Sequence, residues 1–136
     1  MGRIGVAEFT VATKVNPFKT TPQPVEVGLS PSQVRAQFTH SLAALKLDSV
    51  DLLYLHAPDH EVPIMDTLAA VNELHKEGKF KRFGLSNFAA WQVAQICQLC
   101  EQHGFVKPSV YQGVCEREGV RIRVCMRVEG SVCASE

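Results

Sequence analysis

At 136 residues, with 14 Lys and Arg against 14 Asp and Glu and 46% of positions apolar, the chain has the profile of one globular domain and not of a disordered one. A balanced charge leaves no field to hold a polyanion or an anionic lipid surface, so nucleic acid and membranes are poor partners. No apolar run reaches the roughly 18 to 20 residues of a membrane span, Met1 to Thr10 lacks the apolar core of a secretory signal, and five cysteines, none before position 97, make no disulfide framework, so the chain reads as cytoplasmic with reduced thiols.

Phe9 to Lys14 is a short β-branched run ended by Asn16-Pro17, since proline lacks a donor and restricts the residue before it. Ser30-Pro31-Ser32-Gln33 then supplies a capping hydroxyl, a proline for the first helical turn and a glutamine three residues past the cap. The helix it starts carries Val34, Phe38, Leu42 and Leu45 as one stripe. Val50 to His56 is continuously apolar through Leu52–Leu55, as in a strand covered on both faces, which favours a parallel sheet. A second helix is expected from about Pro63 to Lys76, with Leu68, Val71 and Leu74 inward and Gly78 closing it in a left-handed turn. Phe80 to Leu85 reads as a third strand. Asn87 is a good cap for a third helix, with Val93, Ile96, Cys97 and Cys100 on its inward side, Trp91 as packing, and Gly104 as its stop. Ser109 to Gln112 begins a fourth strand. From Gly113 to Glu136 the pattern changes: Val120, Ile122, Val124, Met126 and Val128 alternate with Arg121, Arg123, Cys125, Arg127 and Glu129. That period of two suits an edge strand, whereas the strand–helix rhythm calls for a loop and a helix there.

This alternation is βαβ architecture. An open doubly wound sheet would advertise a glycine-rich phosphate loop after its first strand, and neither G-x-G-x-x-G nor G-x-x-x-x-G-K-[ST] occurs. A (β/α)₈ TIM barrel needs no such loop but takes about 250 residues. The expected fold is therefore α/β, a partial (β/α)₈ TIM barrel of about four consecutive β/α units of eight, in residues 1–113, followed by a divergent tail over residues 114–136.

A polar residue stands at the carboxyl end of each expected strand: Lys14, His56, Ser86 with Asn87, and Gln112. Singly each has a bland reading, as a solvated charge, a hydrogen-bonded histidine, a helix cap or a loop partner. Together they mark one rim, because parallel strands deliver their carboxyl ends to the same face. The other motifs are weaker. Cys97-x-x-Cys100 lacks a second pair at zinc spacing and reads as buried small hydrophobes, with no metal site expected. Asp59 beside His60 reads as a turn former, and the arginines from Arg117 to Arg127, interleaved with glutamates, as a solvated face.

Ala12-Thr13-Lys14, Val50-Asp51-Leu52-Leu53-Tyr54-Leu55-His56, Glu77-Gly78-Lys79, Gly84-Leu85-Ser86-Asn87 and Val110-Tyr111-Gln112 resemble the middle of an aldo-keto reductase, over about residues 9–113. Leu55-His56-Ala57-Pro58-Asp59-His60 and Leu85-Ser86-Asn87-Phe88-Ala89-Ala90-Trp91 are similar to its aflatoxin-aldehyde and succinic-semialdehyde reductase branch. The resemblance implies a (β/α)₈ barrel that reduces a small aldehyde or ketone with NADPH through a catalytic Asp, Tyr, Lys and His. Matched residue by residue, Lys14 and His56 are the catalytic lysine and histidine, and Ser86, Asn87 and Gln112 hold the nicotinamide carboxamide. The family's Asp and Tyr precede the lysine strand, and only 13 residues precede Lys14. Neither Tyr54 nor Tyr111 matches the tyrosine position, and the correspondence ends near Val114-Cys115-Glu116.

The implied molecule is thus a truncated, catalytically incomplete NADPH-dependent reductase. Two other readings stand beside it: a non-catalytic fragment that acts by association with another barrel subunit such as a full-length relative, and a small enzyme that uses Lys14 as a Schiff-base amine.

Overall fold

A computed structural model describes residues 9–18, 25–117 and 120–127, with side chains as far as residue 113. The chain runs β1 (Ala12–Val15), α1 (Pro31–Leu45), β2 (Val50–Leu55), α2 (Ile64–Lys76), β3 (Phe80–Ser86), α3 (Ala90–His103), β4 (Pro108–Arg117) and β5 (Val120–Arg127). Strands β1 to β4 are parallel and pair in chain order, each crossover carrying one helix, and β5 adds antiparallel to β4. This is the expected partial barrel. The tail's period of two wins over the βα rhythm because β5 pairs with β4 from Val110 to Arg117, which hydrogen-bonds one side of its backbone without a crossover.

The start of α1 and the ends of α2 and α3 have legible causes. Ser30 Oγ accepts from the Gln33 N–H (3.4 Å) while Gln33 Oε1 accepts from the Ser30 N–H (3.2 Å), the reciprocal cap expected from the sequence. Gly78 (φ +73°) and Gly104 (φ +66°) take left-handed turns after α2 and α3. Val34, Phe38, Leu42, Leu68, Val71, Leu74, Val93, Ile96 and Cys100 pack with Leu53, Leu55, Phe83 and Leu85 into one core between helices and sheet. Leu52, Tyr54 and Val110 form a small second cluster, which strand alternation places on the other face of the sheet.

Three expectations change. Leu45 falls in the closing turn of α1, where Lys46 turns left-handed (φ 55°), and is 44% exposed. Trp91 does not pack: two residues before buried Val93, it lies about 200° around the helix and is 68% exposed. The third concerns Asn87, which is not the cap of α3. That helix begins after Ala89, whose N–H donates to Gln92 Oε1 (2.8 Å), and Asn87 itself is left-handed (φ 59°) with its side chain turned to a neighbouring strand end. Among the described residues no helix is long and apolar enough to cross a membrane.

Candidate functional site at the strand ends

The four strand ends are stitched to one another. Lys14 lies opposite Tyr54 in the β1–β2 register, and the backbone N–H of His56 donates to Val15 O (2.9 Å), which fixes His56 just beyond the end of β2. Asn87 Nδ2 donates to His56 O (2.9 Å) and to Ser86 Oγ (3.2 Å), tying the end of β3 to the end of β2. Ser86 pairs with Gln112 in the β3–β4 register. Lys14, His56, Ser86, Asn87 and Gln112 therefore stand along one rim. Asn87 is exposed, Ser86 is buried, and Lys14, His56 and Gln112 are half-buried.

Burial, and then the nearby positive charge of Lys14, hold the His56 imidazole below its usual pKa of 6.5. Near neutral pH it is thus an uncharged N–H donor or acceptor beside an ammonium. The Phe18 ring meets it edge-on, with centroids 6.1 Å apart. The Lys14 Nζ lies 5.1 Å from the centre of the Tyr54 ring. Of the chain's two tyrosines, Tyr54 is buried on the barrel-interior face, and Tyr111 packs on the helix side and donates its hydroxyl to Phe88 O (2.8 Å).

The backbone at Asn16, Gly28 and Leu29 is held by side chains of which sequence reasoning singled out Asp59 alone. Asn16 Oδ1 accepts from the Phe18 N–H (2.9 Å), and buried Gln37 of α1 accepts from the Asn16 N–H (2.8 Å) while donating to Gly28 O (2.8 Å). Thr67 of α2 donates to Leu29 O (2.7 Å), and Asp59 accepts from the N–H groups of Leu29 (2.9 Å) and Glu61 (3.0 Å). Asp59 is a turn former, as expected, and also a strut between two rim loops. The one signal in the sequence was polarity inside an amphipathic stripe, at Gln37 and Thr67.

A cleft of about 210 Å³ opens beside the rim, between the loop after β2 and α3, lined by Pro58, Asp59, Val62, Phe88 and Gln95 among others. It includes none of the five rim residues, and both Asp59 oxygens facing this region already accept backbone N–H groups. Among the described residues no three His, Cys, Asp or Glu side chains gather to hold a metal, and Cys97 and Cys100 are unbridged.

An asparagine, a glutamine and a serine at adjacent strand ends match a planar carboxamide, which offers one carbonyl acceptor and two N–H donors. With Asn87 Nδ2 already donating to His56 O, its Oδ1 is the atom left to accept from such a group. A cation and a neutral imidazole stand beside these groups, a pairing suited to a polarised carbonyl.

Residues 5–117 match the model of the Aldo/keto reductase family. The chain is 50% identical over 104 residues to human aflatoxin B1 aldehyde reductase member 4 (76% of this chain, 30% of the relative). It is 48% identical over 110 residues to mouse aflatoxin B1 aldehyde reductase member 2 (81% and 28%), and 52% over 86 residues to human aldo-keto reductase family 7 member A3 (63% and 26%). The chain thus spans less than a third of the length of these relatives.

Proposed function

This chain belongs to the aldo/keto reductase family, whose members act on aldehydes or ketones and generally use NADP(H), and from that premise we propose that its rim is the nicotinamide-facing segment of an NADPH-dependent carbonyl reductase site. The observation that carries the reading is the hydrogen-bonded run His56–Asn87–Ser86, continued by register to Gln112 and flanked by Lys14. Ser86, Asn87 and Gln112 would hold the carboxamide of a nicotinamide, which when bound would supply a hydride. His56, kept neutral, donates its N–H to the substrate carbonyl oxygen, and the Lys14 ammonium favours negative charge developing nearby.

The same residues, taken alone, form an incomplete catalyst. Tyr111 spends its hydroxyl on Phe88 O, and Tyr54 lies buried; neither matches the family's acid. Lack of that acid costs roughly 10² to 10⁴ in rate. Three hydrogen bonds to the cofactor at about 1 kcal/mol each fall short of the roughly 4.1 kcal/mol of a millimolar dissociation constant. On this reading residues 1–113 are the barrel segment, residues 114–136 diverge from it, and the isolated chain neither turns over nor binds NADPH at micromolar concentration.

The test is a graft. Residues 9–113 replace their counterparts in human aflatoxin B1 aldehyde reductase member 4, and the folded chimera is assayed for NADPH-dependent reduction of an aldehyde. The expected outcome is activity within about tenfold of the parent, since the graft restores the acid, and a loss of about 10² or more on Lys14→Met, as for removal of an electrostatic stabiliser. A folded chimera without activity, or one indifferent to Lys14→Met, contradicts the reading.

A further inference from the structure

Lysine has four rotatable bonds, so a lysine on a barrel wall does not point anywhere in particular unless something holds it. Beside Lys14, the neighbouring strand places an aromatic ring that is itself immobilised. Tyr54 is 5% exposed, in the cluster with Leu52 and Val110 on the face of the sheet away from the helices. Its partner in the β2–β3 register is Gly84, and a Cβ built on Gly84 would stand 2.5 Å from Tyr54 Cδ1 and 2.6 Å from Cε1. The ring thus lies flat over a position where only glycine fits. On its other side, from β1, the Lys14 Nζ is 5.1 Å from the ring centre, inside the roughly 6 Å at which a cation is attracted to an aromatic face.

We propose that Tyr54 is a positioning residue for Lys14: seated on Gly84, its ring gives the ammonium a fixed platform on the rim beside His56. The inference rests on the reading above only for what Lys14 does there. The placement stands on register, burial and contact. Neither the hydroxyl of Tyr54 nor proton transfer through it is involved, so the face of the ring is the working part. Among the described residues, the charge that bears on His56 is that of Lys14; Phe18 and Asn87 touch His56 without carrying charge. His56 therefore serves as a local reporter of where Lys14 sits.

The experiment is NMR on the full chain. In the unmodified protein the terminal methylene protons of Lys14 are expected upfield of their solvent positions, shifted by the Tyr54 ring. Tyr54→Phe should keep that displacement and Tyr54→Leu should abolish it. Lys14→Met should raise the titration midpoint of His56 by removing the adjacent charge. Tyr54→Leu should raise it in the same direction, Tyr54→Phe should leave it in place, and Tyr54→Leu should add nothing in the Lys14→Met background. Lys14 methylene protons at solvent positions in the unmodified chain overturn the proposal, and this reading needs no variant to fold. So does a His56 midpoint that Lys14→Met leaves unmoved, or that Lys14→Met moves and a folded Tyr54→Leu does not. These results bear on placement alone, whereas the chimera tests what Lys14 does, so the two can fail separately.

Discussion

Gly84 shows how far a single missing methyl group reaches. With the Tyr54 ring 2.5 Å from where a Cβ would stand, Gly84→Ala must push a buried ring aside, and overpacking of this kind costs about 1–3 kcal/mol, read as a lowered midpoint in urea. Cys100 makes a different statement. Burial in the core, with a smaller push from Cys97, raises its thiol from 9.0 to about 11. At pH 8 the half-buried Cys97 should be alkylated well before Cys100, and mass spectrometry showing equal rates would contradict that burial. Because the folded value is the higher one, the thiol's contribution to stability is intact below pH 9 and disappears as pH rises through about 11. His56 runs the other way. Its folded pKa lies below 6.5, so its contribution is present above 6.5 and is lost as pH falls through the lowered value. At this scale the sequence was a partial guide. Lys14, His56, Ser86 and Gln112 were legible because strand ends are legible. Asn87 was misread as a cap because an asparagine before a helix satisfies the local pattern, and the competing bond to His56 O comes from 31 residues away.

At the scale of elements, local signals set helix ends and distant polar ties set loops. The Ser30–Gln33 cap, Gly78 and Gly104 all involve neighbours within a few residues, which is why they could be read from the chain. The backbone at Asn16, Gly28 and Leu29 could not, because it is satisfied by Gln37, Asp59 and Thr67 from other elements. Gln37→Ala removes partners from two backbone groups at a buried position and should cost about 2 kcal/mol, measured by chemical denaturation, with the Phe18 resonances losing their dispersion. By contrast, Arg35 bridges α1 to Glu77 (2.7 Å) and Glu73 (3.6 Å) of α2 and its C-cap at an exposed site. The pair lowers the Glu77 carboxyl and raises the Arg35 guanidinium, yet solvent screening limits the effect, so Arg35→Ala should shift stability by less than about 1 kcal/mol. A larger loss would show that the α1–α2 contact depends on charge more than on Phe38, Leu42 and Val71. The tail makes the same point in reverse: alternation over Val120–Arg127 carried the strand, and a rhythm borrowed from the preceding units argued wrongly for a helix.

For the whole molecule, the order β1-β2-β3-β4 with three helical crossovers follows from apolar runs such as Leu52–Leu55, which need cover on both faces, and from helices whose stripes supply it on one. That order is what turns residues 42, 30 and 26 positions apart into neighbours along one rim. The most direct measurement of the central claim is a titration of the intact, ¹⁵N-labelled chain with NADPH into the millimolar range, following the side-chain amides of Asn87 and Gln112 together with the backbone of His56 and Ser86. The account predicts that these signals move together, without saturating at micromolar cofactor. Signals that stay still throughout, that saturate at micromolar cofactor, or that move only around Pro58 and Gln95 would contradict it.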